Sequence, residues 1–243
     1  MRLAVVSDVH GNLTALEAVI ADLERRAPDL VLHGGDLALM GAQGAEVVDR
    51  VRELGWPGVV GNVDDLLWNP GERARQEERS PRLRALLANL FDDYAPATLE
   101  QLGRERVEWL RGLPEQHRAG DLLLMHAAPG DLWRAPMPKD DDEELRSVYG
   151  DCGARVVVYG HIHRPYVRDL GDLVVTNSGS VGSPFDGDPR ASYVVIEDGR
   201  PQVVRVDYDV EREVALLLGS GYPDVERIAE MRRTGRFVAP ADA

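Results

Sequence analysis

The chain has 243 residues, 44% of them hydrophobic and 29% charged, a composition typical of a soluble globular protein. Its formal charge is −14, and a surface of that sign repels nucleic-acid backbones, so bulk nucleic acid is disfavoured as a partner. The single cysteine, Cys152, excludes an internal disulfide and suits a reducing cytoplasm. No stretch approaches the roughly 20 apolar residues that a membrane helix needs. We therefore expect a cytoplasmic protein without membrane contact, built as one domain over residues 1–243.

The first 60 residues predict alternating strands and helices. Apolar runs at 3–7 and 30–33 predict strands, and a shorter one at Val59-Val60 predicts a third. Apolar residues at helical spacing predict helices at 13–26 and 44–54. This order predicts a β-α-β-α-β unit with a parallel sheet.

The remainder of the chain predicts a change from helices to short strands. Residues 65–112 predict a mostly helical stretch that prolines interrupt. Short strands follow at 155–159, 166–169, 173–176, 192–197 and 202–207. We expect them to form a second, largely antiparallel sheet, followed by a charged helical tail from about residue 209.

Five apolar runs end in residues that commonly bind metals. These residues are Asp8 and His10, Asp36, Asn62, His126, and His161 and His163. The carboxyl ends of strands form the ligand-binding crevice of open α/β sheets, so we expect these side chains to meet at one edge. Side chains two apart on an extended strand project to the same side, which groups Asp8 with His10 and His161 with His163. The pattern indicates a two-metal hydrolase.

The ligand types narrow the chemistry. A carboxylate such as Asp36 has two oxygens and can bridge two cations, and a water bridging two such ions supplies hydroxide near neutral pH. Mixed imidazole and carboxylate ligands suit manganese, iron, zinc, cobalt or nickel better than calcium or magnesium. We therefore expect two divalent transition metal ions, and the sequence leaves their identity open.

The motifs SDVHGN, GGDL, GNVD, MHAAP and YGHIH occur in the order that defines the calcineurin-like metallophosphoesterase family, which the chain closely resembles from residue 3 to about 185. The resemblance implies an α/β fold, a four-layer α/β/β/α sandwich of two mixed sheets, with a dinuclear metal centre. By position, Asp8, His10, Asp36 and His163 resemble the ligands of one metal. Asp36, Asn62, His126 and His161 resemble those of the other. The resemblance implies that Asp36, Asn62 and His126 also take part in catalysis.

One position departs from the family pattern. Val63 stands where many members place a histidine that is often regarded as the acid for the leaving group, and valine cannot donate a proton. In this the chain resembles small bacterial and archaeal phosphodiesterases. The segments SDVHGNLTALEAVI and NSGSVGSPFDGDPRASY resemble a bacterial branch in which some relatives hydrolyse dinucleoside polyphosphates. The resemblance thus implies hydrolysis of phosphodiester or phosphoanhydride bonds in a small substrate, nucleotides among the candidates, through a metal-bridging hydroxide.

Several residues near the motifs are candidates for substrate binding. Asn12 opens a helix and either contacts the substrate or caps the helix; Asn62 is a candidate beside its ligand role. Trp133 and Arg134 follow His126 in an irregular stretch, where they line the pocket or pack the loop. His33 lies within a predicted strand and is interpreted as a core histidine that makes hydrogen bonds.

Alternatives to the phosphodiesterase hypothesis remain at this point. The same site suits a phosphomonoesterase or protein phosphatase, and relatives of the fold include non-catalytic scaffolds. A nuclease is disfavoured by the net acidity. The sequence leaves the oligomeric state open.

Overall fold

The computed structural model describes residues 1–240. The nine strands of this part of the chain are β1 (Arg2–Val6), β2 (Leu30–His33), β3 (Gln116–Ala119), β4 (Leu122–Met125), β5 (Val156–Tyr159), β6 (Tyr166–Asp169), β7 (Val174–Asn177), β8 (Ala191–Glu197) and β9 (Arg200–Val206). The helices are α1 (Leu13–Arg26), α2 (Gly44–Leu54), α3 (Asn62–Asp65), α4 (Glu72–Arg79), α5 (Arg84–Ala88), α6 (Ala95–Arg111), α7 (Asp142–Tyr149), α8 (Val210–Leu218) and α9 (Val225–Thr234).

The strands form two mixed sheets. The first has the order β2-β1-β8-β9, in which only β1 and β2 run parallel. The second has the order β3-β4-β5-β7-β6, with a parallel centre of β4, β5 and β7 between two antiparallel edges. The parallel strands β1, β2, β4 and β5 lead into predicted ligand loops, which places the site at their carboxyl ends.

Alternation along the strands explains the layers. Leu3 and Val5 of β1 point into an apolar cluster shared with Leu124 and Val158 of the second sheet. Their neighbours on β1 pack instead against the helices of the first sheet, α1 and α2 among them. Leu123 and its equivalents on the second sheet face α7. Two sheets therefore pack face to face with helices outside both, which confirms the predicted α/β/β/α class.

Two predictions about strands need correction. Val59-Val60 forms no regular strand; only an isolated parallel bridge joins Gly58 to His33, because the chain leaves the sheet at once to start α3. The segments predicted at 192–197 and 202–207 belong to the first sheet, since β8 pairs with β1. The second sheet is consequently mixed rather than largely antiparallel.

Helices fill the regions where they were predicted. α3 to α6 lie within residues 62–111, and α8 and α9 form a C-terminal hairpin. Gly103 interrupts α6 with an extended, positive-φ conformation, which bends that helix. Within residues 1–240, no helix combines the length and the apolar character required to span a bilayer.

Candidate metal centre

The predicted ligands converge at the carboxyl ends of β1, β2, β4 and β5 and the start of α3. Ligand atoms of four of them lie within 4.8 Å of one another, and all four side chains are buried. These residues are Asp8, His10, Asp36 and His163. Loops far apart in sequence thus supply one compact set of two carboxylates and two imidazoles.

A second set lies directly beside the first. Asn62 Oδ1 lies 2.8 Å from His126 Nε2 and 2.9 Å from His161 Nδ1. His126 Nε2 is also 3.4 Å from Asp36 Oδ2. The structure therefore brings all seven predicted ligands together, in two groups that meet at Asp36.

Backbone carbonyls fix which nitrogen of each imidazole faces the site. Nδ1 of His10 donates to the Leu39 carbonyl at 2.9 Å, and Nδ1 of His126 donates to the Gly34 carbonyl at 2.7 Å. His163 makes the equivalent bond to the Ser183 carbonyl. Nε2 of each ring is thereby directed at the centre, the arrangement that metal-binding histidines adopt.

His161 presents the other nitrogen. Its Nε2 contacts the Trp133 carbonyl at 3.2 Å, which leaves Nδ1 toward Asn62. Its backbone N–H donates to both carboxylate oxygens of Asp8 at 3.1 Å. The loop after β5 therefore supplies a ligand to one group and orients a ligand of the other.

The donor set fits divalent cations. Nε2 of His10 and Nε2 of His163 lie 3.1 Å apart, and both are acceptors when Nδ1 holds the proton. The carboxylate of Asp36 and the amide oxygen of Asn62 add further acceptors to the same buried space. Facing lone pairs repel each other unless a proton or a cation lies between them. A mixed nitrogen and oxygen set of this kind suits transition metals.

Several ligands occupy a backbone conformation that non-glycine residues rarely adopt. Among residues 1–240, nine non-glycine residues have positive φ, and five of them are predicted ligands. The five are Asp8, His10, Asp36, His161 and His163, with φ between 51° and 65°. Such residues cost free energy and persist only where their surroundings hold them. Strain thus concentrates at the site, as it commonly does where geometry serves function.

Asp64 ties two ligand loops together. Its buried carboxylate accepts backbone N–H bonds from Asp36 at 2.8 Å, Leu37 at 3.1 Å and Gly61 at 3.0 Å. A Cβ on Gly61 would collide with the Asp36 carboxylate, so only glycine allows the loops to approach this closely. Asp64 therefore supports both loops through its carboxylate.

The electrostatic environment holds most of the predicted ligands in the protonation state that binds a metal. Burial opposes the charge of Asp36, but His126 and His10 hold the pKa of its carboxyl well below the usual range. Burial and a neighbouring imidazole lower the pKa of His10 and of His161 to about 4 each. Burial opposes a charge on His126, yet the Asp36 carboxylate raises its pKa to about 9. A cation at His126 must therefore displace a proton at neutral pH.

The predicted substrate residues take different positions. Asn12 is fully buried, caps α1 by accepting from the Ala15 N–H at 2.9 Å, and donates to the Gly182 carbonyl at 3.1 Å. These contacts support the alternative in which Asn12 caps the helix rather than contacting the substrate. Trp133 is half-buried beside His161, whereas the Arg134 side chain is 73% exposed and lies 3.7 Å from Glu144. Trp133 thus lies at the site and Arg134 at its margin.

Sequence reasoning missed one supporting residue. Ser7 Oγ donates to Asp8 Oδ2 at 2.5 Å, and both side chains are fully buried. A polar residue at the end of the buried run LAVVSD was the available signal. His33 is buried as predicted, but its ring nitrogens have no hydrogen-bond partner among residues 1–240.

Comparison with known sequences agrees with this geometry. The sequence profile of the calcineurin-like phosphoesterase superfamily domain matches residues 1–199. An uncharacterized protein of Methanocaldococcus jannaschii is 28% identical over 91% of this chain and 94% of its own length. A probable cyclic nucleotide phosphodiesterase of Synechococcus is 26% identical over 70% of this chain and 71% of its own.

Comparison with solved structures shows that the similarity covers the whole fold. A metallophosphoesterase of Sphaerobacter thermophilus superimposes with a TM-score of 0.78 and 27% identity, covering 97% of this chain and all of its own. A hypothetical protein of Pyrococcus horikoshii gives a TM-score of 0.80 at 17% identity, covering 98% of this chain and 99% of its own, which shows the fold alone. The profile match over residues 1–199 shows that the chain belongs to the calcineurin-like phosphoesterase superfamily, and the buried Asp/His cluster agrees with it.

Proposed function

We propose that the chain is a dinuclear metal-dependent phosphoesterase that hydrolyses phosphodiester or phosphoanhydride bonds of a small, nucleotide-containing substrate. The observation that supports two ions is the position of Asp36 between the ligand groups. Its Oδ2 lies 3.9 Å from His10 Nε2 and 3.4 Å from His126 Nε2, so one carboxylate reaches both. All seven ligand side chains lie together, which gives no support to a non-catalytic scaffold.

The proposed ions supply Lewis acidity and an activated water at neutral pH. The chain's own residues hold and orient them: Asp8, His10 and His163 at one position, Asn62, His126 and His161 at the other, with Asp36 common to both. Of the transition metals that suit this set, manganese is the one we propose to use first in reconstitution. Burial of the ligands keeps bulk water away from their lone pairs, which strengthens their attraction for a cation.

The lack of a proton donor at Val63 supports a diester or anhydride as the bond that is hydrolysed. Its backbone N–H donates to Asp36 Oδ1 at 3.0 Å, so the residue serves the site through its main chain. Its side chain is only 5% exposed and carries no acidic proton. Diesters and anhydrides with stable leaving groups need less protonation than alkyl monoesters. The Synechococcus relative is named a probable cyclic nucleotide phosphodiesterase, which favours a nucleotide substrate for this chain also.

Trp133 is the residue that we propose to bind the base of such a nucleotide. Its carbonyl contacts His161, and its ring lies nearly parallel to that of Phe91, with centroids 6.2 Å apart. A half-buried indole already held on one side offers its exposed surface for stacking. Arg134, being exposed, is proposed to meet a distal phosphate after leaving Glu144.

The test compares Asp36→Asn with the wild type after reconstitution with Mn²⁺. The panel comprises cyclic nucleotides, dinucleoside polyphosphates, phosphopeptides and aryl mono- and diesters, and metal stoichiometry is measured in parallel. We expect two ions per wild-type chain, with diester or anhydride turnover that Asp36→Asn abolishes. Asp172→Asn is the matched control, because Asp172 pairs with Arg146 at the surface. Unchanged turnover in Asp36→Asn, or a fully loaded wild type that is inert to the panel, contradicts the proposal.

A further inference from the structure

One arginine of the C-terminal helix α9 is buried directly behind the metal centre. Arg232 has no exposed surface, and its guanidinium donates to the carbonyls of His10 and Met40 at 2.9 Å each and to that of Gly182. The three carbonyls lie in three different loops, after β1, after β2 and between β7 and β8. A single cation thus joins segments that are separated by up to 222 residues.

Each of these loops carries part of the metal site. His10 is itself a ligand, and Met40 ends the segment that begins with Asp36. Gly182 precedes Ser183, whose carbonyl accepts the Nδ1 proton of His163. The guanidinium therefore binds the main chain of His10 directly and binds the segments that carry Asp36 and support His163.

The contacts fall where the backbone is most strained. His10 has φ of 51° and Met40 has φ of 72°, and Arg232 binds the carbonyl of both. Tyr222, in the segment between α8 and α9, accepts the Met40 N–H at 3.0 Å. Met40 is consequently held on both sides by the C-terminal hairpin. Left-handed residues persist only when their surroundings over-determine them, and here the hairpin supplies that constraint.

The charges around Arg232 indicate that its guanidinium has a role beyond packing. Glu213 on α8 is fully buried, and its carboxylate and the guanidinium of Arg232 lie close enough to interact electrostatically. Burying an arginine costs free energy of desolvation, which the three hydrogen bonds from its two terminal nitrogens and a nearby carboxylate offset. An apolar side chain would leave the carbonyls of His10, Met40 and Gly182 without this donor, so packing alone does not explain Arg232.

We propose that Arg232 is a positioning residue of the metal centre, and that the hairpin α8–α9 sets the affinity of the first ligand group by holding its loops in the strained, metal-binding conformation. The hairpin lies beyond residues 1–199, the part that matches the superfamily profile. The inference rests on the metal site of the proposed function and is independent of the substrate.

The test measures binding of Mn²⁺ alone to metal-free protein by calorimetry, with thermal unfolding in EDTA as a separate readout of folding. Arg232→Met keeps the length of the side chain and removes its donors. We expect its affinity for Mn²⁺ to fall roughly 10- to 100-fold, the usual effect of losing a group that orients metal ligands. Arg232→Lys keeps the charge and is expected to restore part of the affinity.

Arg227→Met is the matched control. Arg227 lies on the same helix and is 9% exposed, but it binds Tyr94, Asp224 and the Val238 carbonyl, away from the ligand loops. It is expected to lower the unfolding temperature and leave Mn²⁺ affinity unchanged. Equal affinity in Arg232→Met and wild type, or an equal loss in Arg227→Met, overturns the proposal.

A variant that does not fold and a wild type that binds no Mn²⁺ are interpreted separately. If Arg232→Met does not fold, Tyr222→Phe removes the bond to the Met40 N–H instead, and a wild-type affinity in that variant contradicts the proposal. If the wild type itself binds no Mn²⁺, the proposed function fails. A wild type that binds Mn²⁺ while Arg232→Met binds equally well leaves the proposed function intact and removes only this inference.

Discussion

Nε2 of His10 and Nε2 of His163 lie 3.1 Å apart while Nδ1 of each ring bonds to a backbone carbonyl. Two unprotonated nitrogens at that distance repel each other unless a proton or a cation lies between them, and the surrounding hydrogen bonds prevent either ring from turning away. A cation bound by both nitrogens therefore stabilises the folded state.

Metal removal is expected to destabilise the fold. At a Mn²⁺ concentration 100 times the dissociation constant, binding to the folded state alone adds about 2.7 kcal/mol, or roughly 5–10 °C in the unfolding temperature. Calorimetry with Mn²⁺ and with EDTA measures the difference. His163→Gln is expected to lose this metal dependence, and an unfolding temperature that EDTA does not change in the wild type would falsify the prediction.

Val63→His is expected to change the preference between substrates. A histidine at this position can donate a proton to a poor leaving group, so the ratio of kcat/KM for an alkyl monoester to that for an aryl diester should rise roughly ten-fold or more. Steady-state kinetics on the two substrates measure the ratio. Val63→Gln is the control, since glutamine introduces a polar side chain without an acidic proton. A ratio that rises equally in both variants excludes general acid catalysis as the cause.

Asp64→Asn is expected to loosen two ligand loops together. The amide replaces one of the carboxylate oxygens that accept backbone N–H bonds from Asp36, Leu37 and Gly61, leaving a buried donor unpaired at a cost of about 1–3 kcal/mol. Chemical denaturation should show that loss, and Mn²⁺ titration should show weaker binding. Asp65→Asn is the neighbouring control, because Asp65 is half-buried and its carboxylate accepts from the Asn69 side chain at 3.1 Å. Equal losses of stability and of Mn²⁺ affinity in the two variants would mean that the bonds from Asp64 to the two loops are unimportant.

His33 is expected to make the fold sensitive to acid. Burial lowers its pKa from 6.5 to about 3, so the unfolded chain binds a proton at this residue below about pH 6.5 while the folded chain remains neutral there until about pH 3. Stability is therefore lost as the pH falls between those values, by about 2 kcal/mol at pH 5 relative to pH 7.5.

Urea denaturation of the wild type and His33→Phe at both pH values measures this effect. Phenylalanine keeps a ring beside Trp109 but does not titrate. The loss of stability between pH 7.5 and pH 5 should be about 2 kcal/mol smaller in the variant, whatever its absolute stability. Parallel pH profiles would assign the acid sensitivity to other groups.

The strand ends were predictable because their signals are local. Buried strands are continuous apolar runs, and the polar residues after them, such as Asp36 and His126, stand out without knowledge of any partner. The short run at Val59-Val60 failed as a strand prediction because two residues carry too little signal to distinguish a strand from a single bridge. The assignment of β8 and β9 failed because pairing partners are decided by contacts between distant segments.

The amino-acid sequence by itself indicated the order of most elements, the seven candidate ligands and the absence of an acidic proton at Val63, since all three depend on local residue types and spacing. Only the tertiary structure decided which imidazole nitrogen faces the site, which ligands adopt left-handed backbone, and that Arg232 lies behind His10. These features depend on carbonyls and N–H groups that every residue carries. The sequence does not distinguish one such group from another, and only the folded chain selects the few that meet.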